Sequence, residues 1–175
     1  GNEEIPTERT TPESLDLQAL FAKMRDAGCS HIIMEVSSHA IALDRVGGVE
    51  FAVGAFTNLT EDHLDFHKTM ENYCDAKAEL FARCDKAVAN IDDSWSVRME
   101  EVASCPVLQT SVKNEADLHA KNIELYSDKI RYTAICGDEQ VPVEVPIPGR
   151  FTVYNTLTVL GIAMQLGISL ADAAQ

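Results

Sequence analysis

The 175-residue sequence contains no Gly-x-x-x-x-Gly-Lys-Ser/Thr, so it has no P-loop to cradle a triphosphate. It has no CxxC pair either. Its five cysteines (Cys29, Cys74, Cys84, Cys105 and Cys136) are scattered. An odd, unpatterned set suits reduced thiols in a cytoplasm, not a disulfide framework. No apolar stretch approaches the roughly 20 residues that span a membrane, and the acidic start Gly1-Asn-Glu-Glu-Ile5 lacks a signal-peptide core. Basic residues are few: 14 Lys and Arg against 28 Asp and Glu leave a formal net charge of -14. That charge repels phosphate backbones and excludes a nucleic-acid partner. An anionic nucleotide binds such a chain only where a metal ion or local cations offset the repulsion. Internal repeats and low-complexity segments are absent.

What is present is ordinary for a soluble globular domain: 46% hydrophobic and 24% charged residues, in a length that builds one real core. Thr10 or Thr11 is placed to cap a helix, with Pro12 in its first turn, Glu13 for a capping box and Gly28 as its stop. His31 to Val36 reads as a buried strand and Phe51 to Phe56 as another, with a short helix or loop from Ala40 to Gly48 between them. Met70 to Arg83 reads as a helix, Lys86 to Ile91 as a strand, Ser94 to Val102 as a helix and Pro106 to Gln109 as a short strand. This alternation predicts an α/β fold, a parallel sheet covered by helices on both faces. The rhythm changes after about residue 118. Lys121–Tyr126, Lys129–Ile135 and Val141–Ile147 are short runs separated by turns, which predicts a small antiparallel three-stranded sub-sheet. A helix then runs from about Phe151 to Leu166, and Ser169 is placed to cap another. The expected parts are therefore 1–118 (α/β), 119–148 (meander) and 149–175 (helices).

Three words carry the chemistry: Met34-Glu-Val-Ser-Ser-His39, Asn58-Leu-Thr-Glu-Asp-His63 and Asp75-Ala-Lys77. Glu35 falls at the carboxyl end of an expected strand, where open α/β sheets bind ligands. A carboxylate there needs a partner. Mg²⁺ is one, because it favours hard oxygen ligands; a backbone turn or a lysine is another. Ser37 and Ser38 suit either a phosphate or a helix cap. Asp62-His-Leu-Asp-Phe-His67 has the residue types of a transition-metal cluster. No second His or Cys group stands at ligand spacing, however, and His31, His39 and His119 are isolated. The competing reading is a helix start capped by Thr60, with Glu61 and Asp62 favouring the helix dipole, and with His63 alone facing a Mg²⁺–phosphate site. Lys77 is either a solvated surface charge or an amine whose pKa is lowered in an active site. A neutral amine adds CO₂ and becomes a carbamate, an oxygen ligand for Mg²⁺.

The sequence resembles the central, ATP-binding domain of the Mur ligases. The matching words occur in family order: Thr10-Thr-Pro-Glu-Ser-Leu-Asp-Leu-Gln18, Met34-Glu-Val-Ser-Ser-His39, Phe56-Thr-Asn-Leu-Thr-Glu-Asp-His-Leu-Asp65, Tyr73-Cys-Asp-Ala-Lys77, Asn90-Ile-Asp-Asp93 and Pro148-Gly-Arg-Phe-Thr-Val-Tyr-Asn155. The first two point to the branch that adds the third residue of the peptidoglycan stem peptide. The resemblance implies that Thr10, Thr11, Ser37 and Arg45 contact UDP-MurNAc-L-Ala-D-Glu. It implies that Glu35, His63 and Lys77 (as carbamate) serve Mg²⁺ and catalysis, and that Asn58 and Asn155 serve ATP, the latter near the adenine. The implied reaction is ATP-dependent amide formation through an acyl phosphate, with meso-diaminopimelate or L-lysine as the amine, in the cytoplasm. The family usually has Asn at the positions of Thr152 and Arg9. The resemblance also implies that the P-loop, the uridine-gripping domain and the amine-selecting domain lie outside this chain, so that the chain alone ligates nothing. A folylpolyglutamate synthase-like or cyanophycin synthetase-like ligase, a non-catalytic ligand-binding module and a zinc hydrolase are the other readings.

Overall fold

The computed structural model describes residues 3–7 and 9–175. Six strands form one sheet in the order β1-β2-β3-β4-β5-β6. They are β1 Gly54–Phe56, β2 Ala87–Asn90, β3 Val107–Ser111, β4 Leu118–Leu125, β5 Ile130–Cys136 and β6 Glu139–Val145. The β1, β2, β3 and β4 neighbours run parallel, whereas β4, β5 and β6 form an antiparallel meander. The expected antiparallel meander is present and is continuous with the parallel strands. Thr110↔Leu118 and Ser111↔His119 pair it in parallel to β3, so one ladder continues from the helix-crossed half into the hairpins. A register shift interrupts β4 between Lys121 and Glu124, where Asn122 takes a φ of 52°.

The helices are α1 Ser14–Asp26, α2 Ser38–Ala42, α3 Leu64–His67, α4 Met70–Ala78, α5 Ser96–Val102, α6 Arg150–Gln165 and α7 Leu170–Ala173, with a 3₁₀ turn at Phe81–Arg83. The alternation of side chains along β2 explains the layering. Ala87 and Ala89 share a buried cluster with Tyr73, Phe81 and Met99 from α4, the 3₁₀ turn and α5. Val88 points the other way, against Gly161 of α6. A Cβ at Gly161 would stand 2.9 Å from Val88 Cγ1, so the close approach of helix to sheet needs glycine there. The same helix buries Val153, Leu157 and Leu160 against Leu118, Ile130, Tyr132 and Val143 of the meander. A third, smaller cluster joins Leu17, Ile41 and Val46.

Several local expectations are corrected. His31–Val36 is no strand: it pairs with no ladder, and Ile33 is 95% exposed. Apolar residues make a parallel strand only beside a partner, and among the described residues none flanks this run. Phe51–Phe56 narrows to β1 plus one isolated bridge, Phe51↔Cys84. The first helix is capped by neither Thr10 nor Thr11. Its N-cap is Glu13, with no side-chain cap bond, because the Thr11 hydroxyl is engaged elsewhere. Thr60 caps nothing at α3 either: the N-cap there is His63, in a left-handed conformation with φ 55°. Ser169 does cap α7, accepting from Asp172 N at 3.1 Å.

Candidate functional site

The carboxyl ends of β1 and β2 open into a cleft of about 270 Å³. Thr57, Asn58, Asn90, Asp92 and Asp93 line one side. The start of α6 supplies Phe151, Tyr154 and Asn155 on the other. The cleft is held open by side chains bonded to backbone. Asn90 Nδ2 donates to Thr57 O at 2.7 Å, tying the two strand ends together. Asp93 accepts from Leu59 N at 2.8 Å and from Trp95 N at 3.0 Å. Asp92 accepts from Ser111 Oγ (2.6 Å), Val112 N (2.7 Å), Lys113 N (3.0 Å) and Asn114 Nδ2 (3.1 Å). Burial alone would raise the Asp92 pKa, but these four bonds to the charged form outweigh it and hold the carboxyl below its usual range. Gly149, at φ 102°, lets the chain turn into α6; a Cβ there would strike Phe151. Asn58 and Asn155, both expected as ligand contacts, thus share one cleft. Asn90, Asp92 and Asp93 line it too, without having been assigned a role; the Asn-x-Asp-Asp word just past a strand was the signal. Thr152 is buried, donates to Pro148 O and is not among the lining residues.

A second group of side chains gathers around Tyr73, on α4. Lys77, one turn further along α4, carries its Nζ over the Tyr73 ring, 5.6 Å from the centroid. Burial pushes the Lys77 ammonium below its ordinary pKa, while the Glu35 carboxylate opposes the shift. Glu35, on the loop before α2, is thus close enough for its charge to act on Lys77. Tyr73 is raised by burial first, then by Asp62 and Glu35. The His63 ring meets Tyr73 edge-on at 5.7 Å and His39 at 4.9 Å. His63 and Lys77, from two segments, thus meet at one tyrosine ring, and the charge of Glu35, from a third, acts on both Lys77 and Tyr73. Asp62, His63, Asp65 and His67 do not form a cluster: among the described residues no three His, Cys, Asp or Glu side chains converge to hold a metal ion.

The four residues expected at an organic substrate lie next to this group. Thr11 is buried, and its hydroxyl bridges the loop after Met34, donating to Glu35 O and accepting from Ser37 N, both at 3.0 Å. Ser37 Oγ caps α2 by accepting from Ala40 N at 3.2 Å. Arg45 Nη1 donates to Thr11 O at 3.4 Å. Its Nε lies 3.1 Å from Glu13 Oε1, an ion-pair distance without hydrogen-bond alignment, which leaves a buried N–H with no bonded partner among the described residues. Thr10 is exposed. Among the described residues no helix is long and apolar enough to cross a membrane.

The chain is similar to known proteins. A family model described as the Mur ligase middle domain matches residues 1–163. The UDP-N-acetylmuramoyl-L-alanyl-D-glutamate--2,6-diaminopimelate ligase of Clostridium botulinum is 44% identical over 170 residues, which covers 97% of this chain and 35% of the relative. The ligase of the same name from Caldanaerobacter subterraneus is 44% identical over 176 residues, covering 100% of this chain and 36% of its own length. A solved structure of another enzyme of that name superposes with a TM-score of 0.88 at 29% identity, over 94% of this chain and 35% of that one. The chain thus spans 35–36% of the length of these relatives. It belongs to the Mur ligase family, as a middle domain.

Proposed function

We propose that the chain is the nucleotide- and metal-handling core of a UDP-N-acetylmuramoyl-L-alanyl-D-glutamate:diamino acid ligase, working in the cytoplasm in peptidoglycan synthesis. The observation that carries this reading is Lys77: a partly desolvated amine above Tyr73, the ring that His63 also meets, and within reach of the Glu35 charge. The 44% identity to two diaminopimelate ligases along nearly the whole chain supports it.

In this reading the acidic substrate is UDP-MurNAc-L-Ala-D-Glu, held by Thr10, Thr11, Ser37 and Arg45. ATP lies with its base in the cleft between Asn58, Asn90 and Asn155. The D-glutamyl carboxylate attacks the γ-phosphorus, the bond to the β,γ-bridging oxygen breaks, and ADP leaves with that electron pair. The amine of meso-diaminopimelate or L-lysine then attacks the acyl phosphate, phosphate departs, and one proton passes to solvent. Residues of this chain set the charges for that exchange. Desolvation lowers the Lys77 pKa and so eases loss of its proton. The neutral amine adds CO₂: a C–N bond forms, one proton goes to solvent, and two carbamate oxygens replace a cation. Glu35 and His63 alone fall short of three donors, and the carbamate supplies the missing hard oxygen, so the set then fits Mg²⁺. When bound, Mg²⁺ offsets charge on the transferring phosphoryl group. The test is a coupled assay in the ligase that carries this chain. ADP release is expected to require both the muramoyl-dipeptide and the diamino acid; release with neither substrate, or none with both, contradicts the reading.

A further inference from the structure

His67 is used by none of the roles above, yet it occupies the centre of the ring cluster. It is 7% exposed and its Nε2 lies 2.8 Å from Ser38 Oγ, itself 1% exposed. Its ring stacks on Tyr73, with centroids 5.1 Å apart and planes 20° off parallel. His39 and Phe66 pack against it edge-on at 5.5 Å and 4.8 Å. Its own carbonyl accepts from Asn72 Nδ2 of α4 at 2.9 Å. The helix that carries it has four residues between His63 and Lys68, both at positive φ. Non-glycine residues hold that conformation only when their surroundings over-determine it.

These contacts have a direction. Ser38 opens α2 directly after Ser37, three residues beyond Glu35. Tyr73 lies one turn before Lys77 on α4 and touches His63 edge-on. His67 is the side chain that bonds the first group and stacks on the second. We propose that His67 is a positioning residue for the phosphoryl-transfer centre: through Ser38 on one side and Tyr73 on the other, it fixes the loop of Glu35 against α4, and so sets the spacing of Glu35, His63 and Lys77. The proposal rests on the ligase reading for its kinetic consequence, but the mechanical link stands on the contacts alone. Small displacements of catalytic groups cost rate more than binding, so the effect belongs in kcat.

The test uses three single variants and one double variant of the ligase that carries this chain. His67→Phe keeps the ring stack and removes the hydrogen bond. Ser38→Ala removes the same bond from the other side. His67→Gln retains a polar group near the Nε2 position. His67→Phe and Ser38→Ala are each expected to lower kcat about tenfold, with KM for ATP and for the muramoyl-dipeptide changed less than about twofold. The double variant is expected to be no slower than either single, because both remove one interaction, and His67→Gln to recover part of the loss. Multiplicative losses, or a His67→Phe enzyme as fast as wild type, overturn the proposal. Amide hydrogen exchange keeps the outcome separate from the ligase reading. If wild type shows no turnover, that reading fails, and exchange alone decides on His67. Acceleration confined to residues 35–38 and α3–α4 supports the link; unchanged or uniformly faster exchange overturns it.

Discussion

The Lys77 ammonium stands over the face of Tyr73, 5.6 Å from the ring centroid, and feels the charge of the Glu35 carboxylate. Burial disfavours the ammonium, whereas the π face beneath it and the Glu35 carboxylate favour its charge. An amine balanced in this way titrates more readily than a surface lysine, which suits a group that must lose a proton to become a carbamate.

Lys77→Ala in the complete ligase is expected to reduce turnover at least about a hundredfold, the scale on which loss of one well-placed electrostatic group acts. Partial recovery is expected on adding formate or acetate, whose carboxylate fits the space left by a carbamate. Lys77→Arg is expected to be inactive without recovery, because guanidinium does not deprotonate. Steady-state kinetics with and without added carboxylate check this, and an active Lys77→Arg enzyme contradicts it.

Asp92 is expected to matter for the shape of the nucleotide cleft. Its carboxylate satisfies four donors around β3, and Asp92→Ala leaves those groups without partners at a cost of about 2 kcal/mol. A lowered carboxyl pKa contributes stability that is present above the unfolded value and is lost as pH falls through the folded one. Wild type is therefore expected to lose stability on acidification below pH 3.8, and Asp92→Ala to lose less over the same window. Urea midpoints across pH measure both effects.

The strand and helix alternation from Met70 onward was legible because its signals are local: helical spacing along α4 and α6, Ser169 capping α7 and turn residues between the hairpins. Failures arose where the decisive partner is distant. Ile32 and Ile33 look like core residues in sequence, but nothing among the described residues pairs with them. Thr11 has the spacing of a cap, yet its hydroxyl is captured by Glu35 O and Ser37 N, 24 and 26 positions away. His67 and His63 share one short motif, and only the fold separates a buried ring on Ser38 from a half-exposed one. The functional words were visible as residue types at strand ends, whereas Tyr73 as their common wall was not, because an aromatic at helical spacing reads as core.

Burial lowers the His67 pKa from its ordinary 6.5, and His39 and His63 lower it further. The unfolded chain then binds more protons than the folded one, so stability is expected to fall as pH drops below 6.5 and to level off above it. His67→Gln is expected to flatten that part of the profile. Thermal melts between pH 5 and pH 8 are the check, and an unchanged slope in the variant contradicts it.

Gly161→Ala gains helix propensity of up to about 1 kcal/mol. Against this, the new Cβ comes within 2.9 Å of Val88 Cγ1 and 3.3 Å of Leu108 Cδ2. Overpacking of this kind costs about 1–3 kcal/mol, so a net loss of about 1 kcal/mol is expected. Leu157→Ala, from the centre of the α6–meander core, is expected to cost about 3 kcal/mol. Denaturant midpoints at constant slope test the pair.

The most direct measurement is ¹³C NMR of the ligase equilibrated with ¹³C-bicarbonate, wild type beside Lys77→Ala. The expected result is one slowly exchanging carbamate resonance in wild type, strengthened by Mg²⁺ and missing from the variant. A wild-type spectrum without it, or a resonance that survives loss of Lys77, contradicts the assignment of Glu35, His63 and Lys77 to one metal centre.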